Sequence, residues 1–565
     1  MNSATKRVIV SGLVATAVGL VMPARAFAQV PPDSLPSLME ALALPLPAAQ
    51  PGETVLVARL AGILFRASPD AVTQSARVTG YDAAAVPLLQ AADFAVVPAA
   101  FLGRPASYES IQRLAMATRA YLQQSGYPLV AVFVPPQVID GGTVQVVVQA
   151  SRVDSVARVE GARYFSSDHY LRALRLEPGE PVQAARLADD LAWLNRQPFH
   201  QVGAILEPGA LPGTTDLVLR VQERRPFTGS VGYDNMGTPS TGRGRLFAGV
   251  TWGNLFGRGH SVSYQLRADP AAQHVTTHSA SYAGNLPWRH TLTLSGAWTS
   301  VESVLPEPFT QAGTSWQAGL RYGVPVARAE GGWEGQVAVT ADFKYSDNTL
   351  EFSAIPIVDS ITHIVQAGAT LSLSRGDSTQ QMAFSASVFA SPGRVTGRNT
   401  DAAFDGSRLG AEARYAYGRI DARYSRRLPR DFEWSGSASA QRASGPLLGT
   451  EQMSGGGSAG VRGFLESSAF ADEGVLLRTE LSLPSFTTFV AAGRARLFAF
   501  LDAAAMHSRG PGNGTSPLAA AGAGFRFQVA PSISVGGAYG WPLAADADVA
   551  GGRSPNGHIT TSVTW

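Results

Sequence analysis

From Pro226 to Trp565 the chain alternates. Segments of about ten residues carry polar and apolar side chains in turn, and turn residues separate each segment from the next. Gln336–Ser346 shows the pattern in full. Val337, Val339, Ala341, Phe343 and Tyr345 share one face; Gln336, Thr340, Asp342, Lys344 and Ser346 share the other. Ser261–Arg267 and Thr291–Trp298 repeat it. Successive side chains of a strand point to opposite faces, so period two predicts strands with one oily and one wet side. Strands in soluble proteins are usually roughly five or six residues long, whereas about ten suit a tilted bilayer crossing.

Sixteen such segments begin near residues 227, 242, 259, 273, 289, 316, 335, 363, 381, 408, 432, 474, 494, 516, 532 and 558. An even number of antiparallel strands predicts a closed outer-membrane β-barrel over 226–565. Parity gives a separate argument. Connections after even strands are short, as at Asn254–Arg258, Gly284–Trp288 and Arg375–Gln380. Connections after odd strands include the longer Val301–Ser315, Asn348–Thr362, Ser391–Gly406, Arg442–Glu473 and Trp541–Gly557. Short periplasmic turns and long extracellular loops are the habit of such barrels. Beyond the leader no run reaches about 18 apolar residues, which excludes transmembrane helices there and leaves spanning strands open.

The first 28 residues read as an export signal. Lys6 and Arg7 form a basic start, Val8–Met22 is apolar, and Ala26-Phe27-Ala28 fits a cleavage site. Residues 29–52 are rich in Pro, Leu and Ala and read as a linker or short N-terminal helix. The span 53–153 is mixed. A strand is expected over Thr54–Leu64, a helix over Ser107–Ser125 capped by Ser107 and ended by Gly126, then strands at Leu129–Val134 and Thr143–Gln149. Residues 154–225 repeat the plan with a strand at Ser155–Glu160, helices at Ser167–Leu174 and Val182–Arg196, and strands at Val202–Glu207 and Asp216–Glu223.

Composition narrows the function. There is no Cys, hence no disulfide framework, thiolate metal site or thiol nucleophile. Forty-five basic against 43 acidic residues give no overall charge suited to nucleic acid. Only Lys6 and Lys344 are lysines. No His spacing suggests a metal site and no nucleophile–base–acid grouping stands out, so no cofactor and no catalytic residue are expected. Arg375-Gly376-Asp377-Ser378 reads as a hairpin turn, and Gly455-Gly456-Gly457 lacks the Lys of a phosphate loop.

Several motifs resemble the two-partner secretion transporters of the filamentous-haemagglutinin and haemolysin type (TpsB). Gly126-Tyr127-Pro128-Leu129 with Val134-Pro135-Pro136-Gln137 resembles the end of that family's first POTRA domain. Val156–Gly161 looks like the first strand of its second. Gly232-Tyr233-Asp234-Asn235 and Gly253–Gly259 resemble the opening of its barrel. Gly460-Val461-Arg462-Gly463-Phe464 matches the V-R-G-Y/F tip of the long loop that folds into the lumen, and it falls between strands eleven and twelve. The resemblance implies two periplasmic α+β POTRA-like domains followed by a 16-stranded antiparallel transmembrane β-barrel. It implies an outer-membrane pore that secretes a large TpsA-type exoprotein, and it implies no enzyme.

In that family the loop arginine partners an aspartate on strand thirteen in a Phe-x-Asp context, which Phe500-Leu501-Asp502 fits. Alternation independently puts Asp502 with Phe498 and Phe500, opposite Leu497 and Leu501, and so toward the lumen. His558–Trp565 sets Ile559, Thr561, Val563 and Trp565 on one face. A terminal aromatic there resembles the signal by which the barrel-assembly machinery takes up its clients for insertion among outer-membrane lipid. Where that family often has a long charged plug helix, residues 29–52 are short, apolar and Pro-rich, and the first POTRA-like region carries an insertion within Ser68–Pro98. Two other readings stay open at this stage: an assembly or insertase factor of the same superfamily, and a passive porin.

Overall fold

The computed structural model describes residues 55–565, apart from 140, 155–157, 212, 330–331, 353–354, 489–492, 512–513, 546–548 and 550. The predicted signal and linker lie outside the described residues, as do Ser155–Ala157 of the strand expected at Ser155–Glu160. The chain divides between Arg225 and Pro226 into two units.

The N-terminal unit begins with a four-stranded sheet ordered Gly80–Asp82, Gly62–Arg66, Thr143–Ala150, Val130–Phe133. Helix Tyr108–Gln124 covers it with Ile111, Leu114, Tyr121 and Leu122. Ser107 and Ser110 cap its start reciprocally, at 3.2 and 2.9 Å, which satisfies two otherwise orphaned backbone donors. Gly126 follows the helix at φ +92°, a conformation glycine adopts without strain. The single strand expected over Thr54–Leu64 is two. Val55–Val57 pairs with Ala106–Ser107, and Gly62–Arg66 joins the sheet. The break falls where the N–H groups of Leu60 and Ala61 turn to the carbonyls of Arg104 and Gly142. The segment Ser68–Pro98 is built into the core: Phe94 is fully buried, edge-on to Phe65 at 5.2 Å.

A second sheet follows. Its central strand, Thr214–Glu223, has His200–Pro208 antiparallel on one side and Arg152–Val153 and Arg158–Glu160 parallel on the other. Helices Ser167–Leu171 and Ala184–Leu194 pack on it, both shorter than expected. The longer one stops because Asn195 turns back to the sheet, its side chain bonding both backbone groups of Val202 at 2.7 and 2.9 Å.

The C-terminal unit is the expected closed, antiparallel 16-stranded barrel. Its long strands are β1 (Phe227–Asp234), β2 (Arg245–Leu255), β3 (His260–Ala268), β4 (Val275–Asn285), β5 (Thr291–Ser303), β6 (Phe309–Ala329), β7 (Trp333–Phe352), β8 (Ile355–Gly376), β9 (Gln380–Pro392), β10 (Arg414–Arg427), β11 (Glu433–Ala443), β12 (Glu473–Ser482), β13 (Arg494–Ser508), β14 (Gly514–Ala530), β15 (Ile533–Ala544) and β16 (Asn556–Thr564). A two-residue strand, Phe486–Thr487, adds to the edge of β13. Alternation works as the sequence implies: Leu497 and Leu501 face out at 44% and 50% exposure, while Phe498, Phe500 and Asp502 are buried inside.

Two expected loops are largely strand. β6, β7 and β8 run for 21, 20 and 22 residues, so most of Asn348–Thr362 is a paired hairpin and Val301–Ser315 is mostly ladder. Backbone pairing needs no lipid, and the alternating Thr, Val and Ile residues there continue the register into water.

The barrel closes where β1 meets β16. Their register runs five residues, Ser230–Asp234 against Thr560–Thr564, shorter than at any other joint between long strands. The Asn235 side chain lengthens it, bonding the Gly557 carbonyl and the Ile559 amide at 2.8 Å each. At the other end Gly229 and Trp565 exchange two backbone bonds of 3.0 Å.

Candidate functional site

The connection 444–472, between β11 and β12, turns into the barrel. Met453–Ser454 pairs with Phe470–Ala471 at its neck, where two residue pairs clip the descending and returning limbs together. The tip then turns on itself: the Val461 amide donates to the Gly455 carbonyl at 2.7 Å, and Gly463 takes φ +101°. Val461 and Phe464, 0% and 2% exposed, join an apolar cluster with Met453, Leu476, Met506 and Leu518. The tip is therefore packed against the wall rather than hung in water.

Arg462 sits at the centre of this contact. Its Nε and Nη2 donate to the two oxygens of Asp502, at 2.7 and 2.9 Å, and its backbone amide donates to Asp502 Oδ2 at 3.1 Å. Its remaining arm, Nη1, donates to Glu480 Oε2 at 2.7 Å. The Phe500 ring lies beneath the guanidinium, its centroid 3.9 Å from Cζ. A planar fork meets one carboxylate with two parallel bonds and stacks on an aromatic face, which a lysine cannot do. The side chains of Arg462 and Asp502 are 8% and 0% exposed, so water screens the pair little.

Two more arginines complete the charge pattern. Arg526 donates to Glu480 Oε1 at 2.6 Å and stacks over Phe498 at 4.3 Å. Arg478, opposite Asp502 in the ladder, lies 3.7 Å from Asp502 Oδ2 and donates to the Ala459 carbonyl at 3.1 Å. Three cations thus share two carboxylates. On the far side of the tip, Asn556 of β16 donates to the Phe464 carbonyl at 3.0 Å.

The structure brings Val461, Arg462, Gly463, Phe464 and Asp502 together. Trp565 is elsewhere, just past the C-terminal end of β16 and paired with the start of β1, 60% exposed with its ring across Gly229. Sequence reasoning missed Glu480, Arg478, Arg526 and Asn556. The signal for Glu480 was present: Leu477 and Leu481 face out along β12, so the acid between them faces the lumen. Arg375-Gly376-Asp377-Ser378 ends β8 and enters the hairpin turn to β9, where Asp377 accepts from the backbone of Thr379 and Gln380 at 2.7 and 2.9 Å. Among the described residues no group of three or more His, Cys, Asp or Glu side chains could hold a metal.

Comparison with known proteins places this geometry in context. The profile of the haemolysin secretion/activation protein family ShlB/FhaC/HecB matches residues 213–527, and that of the ShlB-type POTRA domain matches 76–150. The outer membrane transporter CdiB of Dickeya dadantii is 24% identical over 469 residues, covering 81% of each chain. The heme/hemopexin transporter protein HuxB of Haemophilus influenzae is 23% identical over 409 residues, covering 69% of each. Among solved structures, CdiB from Escherichia coli superposes with a TM-score of 0.75 at 19% identity, covering 93% of this chain and 95% of that one. CdiB from Acinetobacter baumannii gives 0.65 at 18%, with 90% of each chain covered.

Proposed function

Because the chain belongs to the haemolysin secretion/activation family of ShlB, FhaC and HecB, we propose that its barrel is the route by which one large exoprotein leaves the cell, and that Arg462 locks the loop folded inside it. Membership makes it an outer-membrane transporter of two-partner secretion, with POTRA domains in the periplasm and a TpsA-type exoprotein as its cargo. The family is one of transporters. An assembly factor and a porin are not favoured by it.

The buried fork of Arg462 on Asp502 carries the reading. A directional pair in a narrow lumen fixes a loop in one place, and a passing chain has to displace it. Capture is assigned to the N-terminal unit. Strand His200–Pro208 pairs with another strand along only one side among the described residues, so beyond Val202, whose backbone groups Asn195 takes, its outer edge offers backbone groups to an extended chain. The periplasm holds no ATP, so folding of the cargo outside the cell supplies direction. Insertion of the barrel into outer-membrane lipid is read as the work of the barrel-assembly machinery.

The test compares the extracellular proteome of a strain lacking this protein with that of its parent. Loss of one or a few very large proteins is expected and names the cargo. A broad fall in outer-membrane proteins would overturn secretion in favour of assembly. Arg462→Ala and Asp502→Ala are each expected to lower secretion with the barrel still inserted. Normal secretion by both would remove the lock.

A further inference from the structure

The loop is held to the wall at a second place. Eleven residues before Arg462, Glu451 lies on the descending limb with its side chain 1% exposed. Lys344 of β7 donates to its Oε1. Gln366 of β8 and the Tyr417 hydroxyl of β10 donate to its Oε2, at 3.2 and 2.7 Å. Gln441 of β11 fixes the backbone beside it, donating to the carbonyls of Glu451 and Asp472 at 3.0 and 3.1 Å. One buried carboxylate thus collects side chains from three strands, and a fourth strand holds the two limbs of the loop side by side.

These strands form a different arc of the barrel from the one that holds the tip. The tip contacts Glu480 on β12, Asp502 on β13 and Asn556 on β16. The limb contacts β7, β8, β10 and β11. The chemistry also differs. The tip uses the rigid fork of an arginine. The limb uses Lys344, which with Lys6 makes up all the lysine in a chain otherwise supplied with arginine. An ammonium on a flexible stem keeps its partner through a range of positions, whereas a fork on a carboxylate holds one.

We propose that Glu451 and Lys344 form a second anchor, independent of Arg462, which keeps the root of the loop on the β7–β10 wall when the tip is displaced. The loop then swings as a flap hinged near Glu451. Both are positioning residues. The inference rests on the lock reading only in supposing that the tip moves.

The lone lysine of the barrel supplies the test. The purified full-length protein is treated with an amine-acylating ester, and acylation of Lys344 is followed by mass spectrometry. An amine reacts when its nitrogen can meet the ester, and the bond to Glu451 holds this one, 18% exposed, against the wall. Acylation in the unaltered protein is expected to be slow. Glu451→Gln is expected to speed it by about tenfold or more, and Glu451→Asp to restore most of the protection. Arg462→Ala is expected to change it by less than about twofold. The heat-modifiable gel mobility of the barrel reports folding; should Glu451→Gln fail to fold, Tyr417→Phe takes its place with an expected rise of about threefold. Equal acceleration by Arg462→Ala and Glu451→Gln would overturn the proposal, since it means one coupled lock. No acceleration in a folded Glu451 or Tyr417 variant would overturn it as well. Failure of the lock itself shows instead in normal secretion by Arg462→Ala, so the two are read separately.

Discussion

Gly463 and Gly540 touch backbone to backbone. A Cβ on Gly463 would stand 2.9 Å from the carbonyl carbon of Gly540, and a Cβ on Gly540 would stand 2.6 Å from the Cα of Gly463. The loop tip therefore lies on β15 with no room for a side chain between them. Gly540→Val is expected to unseat the tip without breaking the strand, since valine suits strands. Trypsin reads this directly, because the bond after Arg462 is buried. Cleavage there should rise by about tenfold in Gly540→Val and less in Gly540→Ala. Unchanged cleavage would mean that the tip is held without this contact.

Asp502 and Glu480 differ in what they accept. Asp502 takes three bonds from Arg462, and Glu480 takes one. A hydrogen bond involving a charged group is worth about 1.5–3 kcal/mol, so the neutral isosteres should rank in that order. Asp502→Asn is expected to lower secretion by about tenfold and Glu480→Gln by about threefold. A larger effect from Glu480→Gln would reverse the assignment.

Arg462→Lys keeps the charge and loses the fork. A single ammonium cannot meet both oxygens of Asp502, reach Glu480 and lie flat on Phe500. Secretion by this variant is expected to lie within about twofold of Arg462→Ala. Activity near that of the parent would show that charge alone suffices.

On helix Ala184–Leu194, which packs on the second N-terminal sheet, Asp190 is fully buried and accepts from the backbone amide and Nε of Arg175 at 2.8 and 2.7 Å. Asp190→Ala leaves that amide without its carboxylate, and local stability should fall by about 2 kcal/mol. Hydrogen exchange across helix Ala184–Leu194 measures it. No loss of protection would show that the amide finds another partner.

His200, 3% exposed, sits among Phe165, His169 and Tyr170, with Nε2 bonded to the Leu194 carbonyl at 3.1 Å. Burial chiefly, helped by the neighbouring His169, pushes its pKa down from 6.5 to about 4. The imidazole is neutral in the folded state and protonates more readily when unfolded. Its contribution is therefore complete above pH 6.5 and is lost as pH falls toward 4, amounting to about 3 kcal/mol over that window. Hydrogen exchange of strand His200–Pro208, corrected for intrinsic rate, should show protection falling in this range in the parent. The fall should be much smaller in His200→Phe. An equal fall in both would assign the pH dependence to other groups.

The sixteen strands were legible because lipid on one side and water on the other enforce period two over a long stretch. Their ends were less legible where pairing outruns the bilayer: β6 begins at Phe309 and β8 at Ile355, ahead of the expected 316 and 363. The motif gave Arg462, and alternation gave the inward aim of Asp502. Glu480 could have been found by the same parity. Gly540 and Glu451 could not. Their roles come from the path of a 29-residue connection through the interior, which no local period encodes. The division of Thr54–Leu64 into two strands was equally hidden, since the Arg104 and Gly142 carbonyls that cause it lie far along the chain.

The short joint between β1 and β16 has a mechanical meaning. The barrel is a hoop, and a hoop under outward load yields at its shortest seam. Here Asn556 of β16 both donates to the Phe464 carbonyl of the tip and accepts from Arg243 on the β1–β2 connection. Asn556 is thus the rivet beside the weakest stave, and the tip hangs on it by one bond. Displacing the tip removes the Asn556–Phe464 bond and leaves the strand beside the shortest seam with one load fewer to carry.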